Sequence, residues 1–173
     1  SFESLYNNVA FYHFRSRVDF PYLDDRGTRA NRNDDRIIDR QNNDFKAYDF
    51  AGTVGNEKKE GLSWKIYENF FFKNEGIPGL GSQTSSTARL DTLRNLVQTE
   101  VAAKRWKASL FFDYLNSQYQ DRQGEIGLGT QDTDDITFRF GPKIEGNLPL
   151  LPHHLLNGFV THRAEFFWPT NSR

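Results

Sequence analysis

Cysteine is missing from all 173 residues, which removes disulfide scaffolds, cysteine-ligated zinc and thiol catalysis together. Methionine is missing as well. No stretch approaches the roughly 18 consecutive apolar residues that a membrane-crossing helix needs, so a helical span is excluded. Strands that cross a bilayer alternate and leave no such run, so they are not excluded. A surplus of one charge sign is also lacking: 22 Lys and Arg stand against 23 Asp and Glu. There is then no basic field to attract a polyanion, and no nucleic-acid partner is expected. The nucleophile elbow, the phosphate-cradling glycine loop and the HExxH zinc motif are absent, and the acidic pairs are chain neighbours in loops. No catalytic residue, no cofactor and no enzyme are expected. Only 36% of residues are hydrophobic while 15% are aromatic, 16 of them Phe, so apolar character is carried by rings spread along a polar chain.

What the chain has is alternation. Ala108, Leu110, Phe112 and Tyr114 take even positions against Lys107, Ser109 and Asp113. Ile136, Phe138 and Phe140 stand against Thr137 and Arg139, and Leu156, Gly158, Val160, Ala164, Phe166 and Trp168 against Asn157, Thr161, Arg163 and Glu165. Earlier segments repeat the pattern: Ala10, Tyr12, Phe14 and Val18 against His13, Arg15 and Arg17; Tyr48, Phe50 and Val54 against Asp49 and Thr53; Trp64, Ile66, Phe70 and Phe72 against Ser63, Lys65 and Asn69, with Glu68 on the wrong face. A seventh segment near 92–102 sets Leu93, Val97 and Val101 against Arg94, Gln98 and Glu100. Period two means strands with one apolar and one polar face. The even aromatics Tyr12, Phe112, Phe138 and Phe166 are expected to share the outward face, and Arg15, Arg17, Lys65, Arg94, Lys107, Arg139 and Arg163 the inward one.

The connections alternate too. Long polar stretches at 19–42, 74–91 and 119–135 are interleaved with short ones at 56–61 and 103–106 and a medium one at 145–154. Outer-membrane barrels place long loops at one rim and short turns at the other. Soluble sandwiches and lipocalin-like barrels share the alternation but not the one-sided loops. The expected fold is all-β: an antiparallel up-and-down transmembrane β-barrel, present over 1–173 as a partial barrel of about seven strands with long loops on one side. The start at Ser1 reads as that of a mature or an excised segment, and the stop in a turn-like stretch after Trp168 is not the closing strand expected of a finished barrel.

Three stretches carry a resemblance. Asp19-Phe20-Pro21-Tyr22-Leu23-Asp24-Asp25-Arg26-Gly27-Thr28, with Asn33-Asp34-Asp35 and Arg40-Gln41-Asn42-Asn43-Asp44-Phe45, resembles a loop and strand start in the barrel of TonB-dependent receptors. Gly76-Ile77-Pro78-Gly79-Leu80-Gly81 running to Thr87-Ala88-Arg89-Leu90-Asp91, and Gly124 to Asp135, resemble two further external loops of that family. The resemblance implies a location in the outer membrane of a Gram-negative-type envelope and a part in the uptake of a scarce nutrient such as an iron chelate. Family barrels have 22 strands, so this chain would be about a third of one. The plug domain of the parent chain, and TonB through it, would be partners beside outer-membrane lipid and the nutrient; neither plug nor TonB box is visible in the sequence. The alternative is a self-contained eight-stranded outer-membrane barrel with a structural or adhesion role.

Ligand contact is expected in the long loops, from Tyr22, Arg29, Arg36, Arg89 and Arg122, whose flat or forked groups suit an anionic or aromatic-rich chelate. His153-His154 lies in a proline-rich turn without a neighbouring carboxylate, and the loop acids lack EF-hand spacing, so they read as solvated turns and no metal site is expected.

Overall fold

The computed structural model describes residues 4–17, 20–27, 30–58, 61–80, 83–152 and 154–171. It contains strands and, among those residues, no helix. In chain order they are β1 (Ser4–Arg17), β2 (Pro21–Asp24), β3 (Arg36–Asp39), β4 (Asp44–Glu57), β5 (Ser63–Gly76) and β6 (Gly79–Leu80). They continue with β7 (Gln83–Thr84), β8 (Arg89–Ala103), β9 (Trp106–Asp121), β10 (Gln131–Leu151), β11 (His154–Thr161) and β12 (Ala164–Asn171). One antiparallel meander runs β1-β4-β5-β8-β9-β10-β11, with β12 also on β10. The sheet is not closed. The small hairpins β2–β3 and β6–β7 stand apart from it, inside two of the long loops.

Seven lanes account for the eight strands of the large sheet, because β11 and β12 lie end to end along β10. Thr161 faces Lys143 and Ala164 faces Phe140, so three steps on one side match three on the other and the register is unbroken. The interruption between them falls opposite Pro142. Its carbonyl accepts from the His162 amide at 3.0 Å, but it has no N–H to return. Next to it, a Cβ on Gly141 would lie 2.2 Å from the His162 carbonyl oxygen, so this close approach requires glycine.

One expected connection is corrected. Residues 145–154 are not a medium loop: β10 runs on to Leu151 and pairs with β11 through Gly146–Gly158 and Leu148–Leu156. Between Leu151 and His154 the described residue is Pro152, and His153 lies outside the described residues. Every connection at that end is therefore short, while residues 18–43, 77–88 and 122–130 bridge the other end.

The register assigns the faces, since directly opposed residues project to the same side. Phe112 faces Phe140, Phe138 faces Phe166, Phe50 faces Phe70 and Tyr48 faces Phe72, so the expected apolar face is continuous from β4 to β12. Strand β1 is the exception. Tyr12 faces Asp49 and His13 faces Tyr48, so Tyr12 lies on the polar face and His13, Phe11 and Val9 join the apolar one. Arg15 and Arg17 go with them, opposite Lys46 and Asp44 near the long-loop rim, not inward as expected. Glu68 does sit on the apolar face, where it accepts from Asn95 Nδ2 at 3.3 Å. Val18 lies outside the described residues.

The polarity is inside out. Among the described residues the buried hydrophobics are Ala47 and Ala88, whereas Asn56, Ser85, Asp113 and Asp121 are buried. Phe11, Phe50, Phe70, Phe112, Phe166 and Trp168 are all exposed. Rings on three lanes stack into a patch: Phe140 lies 6.2 Å from Phe112, 6.1 Å from Phe138 and 6.2 Å from Phe166, which stacks on Trp168 at 5.8 Å. On the opposite face charges interlock. Asp113 accepts from Arg94 at 2.8 and 3.0 Å and pairs with Arg139 at 2.6 Å, while Lys107 meets Glu145 at 2.8 Å.

Candidate functional site at the long-loop rim

The three long connections converge on side chains that tie them to strand ends. In the first, Asp24 and Asp25 turn the chain by accepting the amides of Arg26 and Gly27, each at 3.0 Å. Arg40 closes this hairpin, its amide donating to Phe20 O at 3.0 Å and its guanidinium lying over the Phe20 and Tyr22 rings at 5.9 and 5.6 Å. It also donates to Gly79 O, which fastens the first loop to the second. Asn42, held at φ 57°, donates to Ile77 O and Ala88 O at 3.1 and 2.7 Å. A Cβ on Gly76 would lie 2.3 Å from Asn42 Oδ1, so glycine is required where the two segments meet.

The second and third loops are joined through one carboxylate. Asp121, fully buried at the end of β9, accepts the amides of Glu125 and Ile126 at 3.0 and 2.7 Å. That fold of the third loop delivers Glu125 to the run Ser85-Ser86-Thr87. Its oxygens accept the hydroxyls of Ser85, Ser86 and Thr87 at 2.6, 2.8 and 2.8 Å and the amides of Ser86 and Thr87, both at 2.9 Å. Donors that favour the charged form, Ser85 first, hold the Glu125 carboxyl at about 2 against an ordinary 4.5. Because the folded value is depressed, the contribution is present above pH 4.5 and is lost as pH falls through about 2. The Ser86 and Thr87 amides are expected to be protected from hydrogen exchange at neutral pH and to lose that protection, after correction for intrinsic rates, across this window. Glu125→Ala should remove it at pH 7; protection unchanged in that variant would show that another contact holds the loops.

The residues expected to bind ligand are scattered over these loops and are differently engaged. Tyr22 is on β2 beneath Arg40, its buried hydroxyl without a hydrogen-bond partner. Arg29 lies outside the described residues. Arg36 opens β3, opposite Asp24 and exposed. Arg89 is held by Asp44 through two bonds of 2.8 and 3.2 Å, with Asn42 and Asn74 as further partners. Its forked donors fasten β8 to β4, so it is a structural clamp of the rim. Arg122 has a side chain 73% exposed and reaches Asp132 only at 3.9 Å. Among the described members of the set, Arg36 and Arg122 present accessible guanidinium groups. Glu125, the Ser85–Thr87 run, Asn42 and Arg40 were not anticipated; the sole hint in the sequence was three consecutive hydroxyl residues just before a strand.

Asp134 accepts from Asn116 at 2.6 Å, and Asp24 and Asp25 serve their own turn. Among the described residues no group of three or more His, Asp or Glu is placed to hold a metal. No protein family, curated protein or solved structure was found to match the chain.

Proposed function

We propose that this chain is a segment of barrel wall with its external loops from a TonB-dependent outer-membrane receptor, serving uptake of a scarce nutrient such as an iron chelate. The observation that carries the membrane part is the exposed aromatic face set against a charged, interlocked opposite face. A soluble β-domain would have to hide rings such as Phe112, 40% exposed, and Trp168, 51% exposed. Lipid-facing strands present them, with charge confined to the lumen.

The apolar band lengthens toward the short-turn end on the last lanes. On β9 it runs from Trp106 to Tyr114, whose partners on β10 are Gly146 and Phe138. On β10 the band continues past the end of β9 to Leu148, 57% exposed, and β11 follows with Leu156 opposite it.

Assignment to the receptor family rests on the resemblance of the three long loops, which stand together at one end of the sheet. The free outer edges of β1 and of β11–β12 count against a self-contained eight-stranded barrel, which would need them paired. Outer-membrane lipid, the nutrient, and the parent chain's plug with TonB behind it are the partners of this reading.

Because the chain has no cysteine, topology is readable with single substitutions. Leu128→Cys, on the fully exposed tip of the third long loop, should react with a membrane-impermeant maleimide on intact cells. Leu62→Cys, in the short turn between β4 and β5, should react only after the outer membrane is permeabilised. Labelling of both, or only of the second, on intact cells would overturn the orientation.

A further inference from the structure

The apolar face has a gap at the short-turn rim. Trp106 faces Gly146, and Gly146 faces Gly158, so across three lanes one large ring is followed by two positions with no side chain. The result is a depression of about 560 Å³ framed by Trp106, Ile144, Leu148, Leu156 and Val160. Arg105 borders it, next to Lys104 in the turn between β8 and β9. Lys104 and Arg105 form no salt bridge among the described residues. The nearby carboxylates are already taken: Glu145 is held by Lys107 at 2.8 Å and Lys143 at 2.5 Å, and Glu100 faces Lys107 at 3.6 Å.

We propose that this notch binds one acyl chain of an anionic phospholipid whose phosphate is held by Arg105 and Lys104. The inference rests on the membrane reading above and adds a defined lipid site to it. An apolar trough open to the lipid side suits a hydrocarbon tail, and the indole at its edge sits where aromatic rings meet the headgroup layer. Two unpaired cations just beyond the hydrocarbon select a phosphate with net negative charge. The depression on the opposite face is lined by Trp106 and Phe159 but also by Lys104, Arg105, Lys107 and Glu145, so a tail there would lie among four charged side chains.

The test uses the full-length protein released from membranes in mild detergent and offered equal amounts of phosphatidylglycerol and phosphatidylcholine, with retained lipid counted by native mass spectrometry. Gly158→Leu fills the notch, and since a Cβ there meets nothing within 4 Å, the variant should fold. Lys104→Gln with Arg105→Gln removes the headgroup contact and leaves the notch. Wild type should retain one phosphatidylglycerol in preference to phosphatidylcholine, and each variant should weaken that retention by about tenfold. Retention without headgroup preference, unchanged in either variant, would overturn the site while leaving the membrane reading intact, and would mean that protein covers the notch. A protein that is monodisperse without detergent and holds no lipid would overturn both.

Discussion

Asp113→Ala should lower the unfolding free energy by about 2–3 kcal/mol, among the largest losses available on the polar face. The carboxylate is almost fully buried, and two guanidinium groups converge on it from adjacent lanes, Arg94 through two bonds and Arg139 through one. Removing it leaves two like charges close together with no counter-ion, and breaking a buried pair in this way costs about 3–5 kcal/mol when both partners are desolvated. Here Arg94 has a side chain 42% exposed and Arg139 one of 24%, so water screens part of the loss and the lower figure follows. Arg139→Met should cost less than Asp113→Ala, because Asp113 keeps both bonds to Arg94. Replacing all three, with Asp113→Leu, Arg94→Met and Arg139→Met, should recover most of the stability, since an apolar set does not leave an uncompensated charge. Urea midpoints of the full-length protein in detergent micelles provide the comparison. A change below about 0.5 kcal/mol for Asp113→Ala would place the triad among solvated surface pairs and remove it as a support of the wall.

The lanes were legible from the sequence wherever only one parity was apolar. From Tyr48 to Trp168 one side of each lane is dominated by rings and aliphatics while Lys65, Arg94, Lys107 and Arg139 keep to the other, with Phe71, Phe111, Phe159 and Phe167 among them, and a slip of one residue would exchange the faces. Strand β1 has no such preference. Phe11, Tyr12, His13 and Phe14 put aromatic rings on both parities, so its face is chosen by hydrogen bonding to β4, which local pattern does not encode. Proline misled at the other end of the chain. Leu148-Pro149-Leu150-Leu151-Pro152 reads as a turn, yet Pro149 is in a strand because its missing donor points to the β9 side, beyond the point where β9 begins at Trp106. Asn147 shows that direction, its amide donating to Arg105 O at 2.9 Å. The rim was less legible than the wall. Arg89 is a loop-proximal arginine by sequence, and only the fold brings Asp44 and Asn42 to it. Glu125 and Ser85 are likewise far apart along the chain and follow no period, so their meeting depends on how Asp121 folds the third loop.

Phe140→Arg should block assembly of the wall where Gln98→Arg does not. Phe140 is the hub of the ring patch, in contact with Phe112, Phe138 and Phe166, and it lies within the apolar band of β10. An arginine on a lipid-facing lane costs about 2–4 kcal/mol near the bilayer midplane. Each lost ring contact adds about 0.5–1.5 kcal/mol. Several such losses together exceed a third of the stability of an ordinary domain. Gln98 lies on the opposite face of β8, facing Tyr67 and Phe111 and two residues from Glu100, so a guanidinium there stays on the charged face, where it can lie against the two rings, and should shift stability by no more than about 0.5 kcal/mol. The measurement is the fraction of full-length protein that reaches the outer-membrane fraction in a form whose gel mobility changes on boiling. In a protein that exposed its rings to water the ranking would reverse, since Phe140→Arg would raise solubility without harming the fold. Equal assembly of the two variants would therefore remove lipid from the apolar face, and the membrane reading with it.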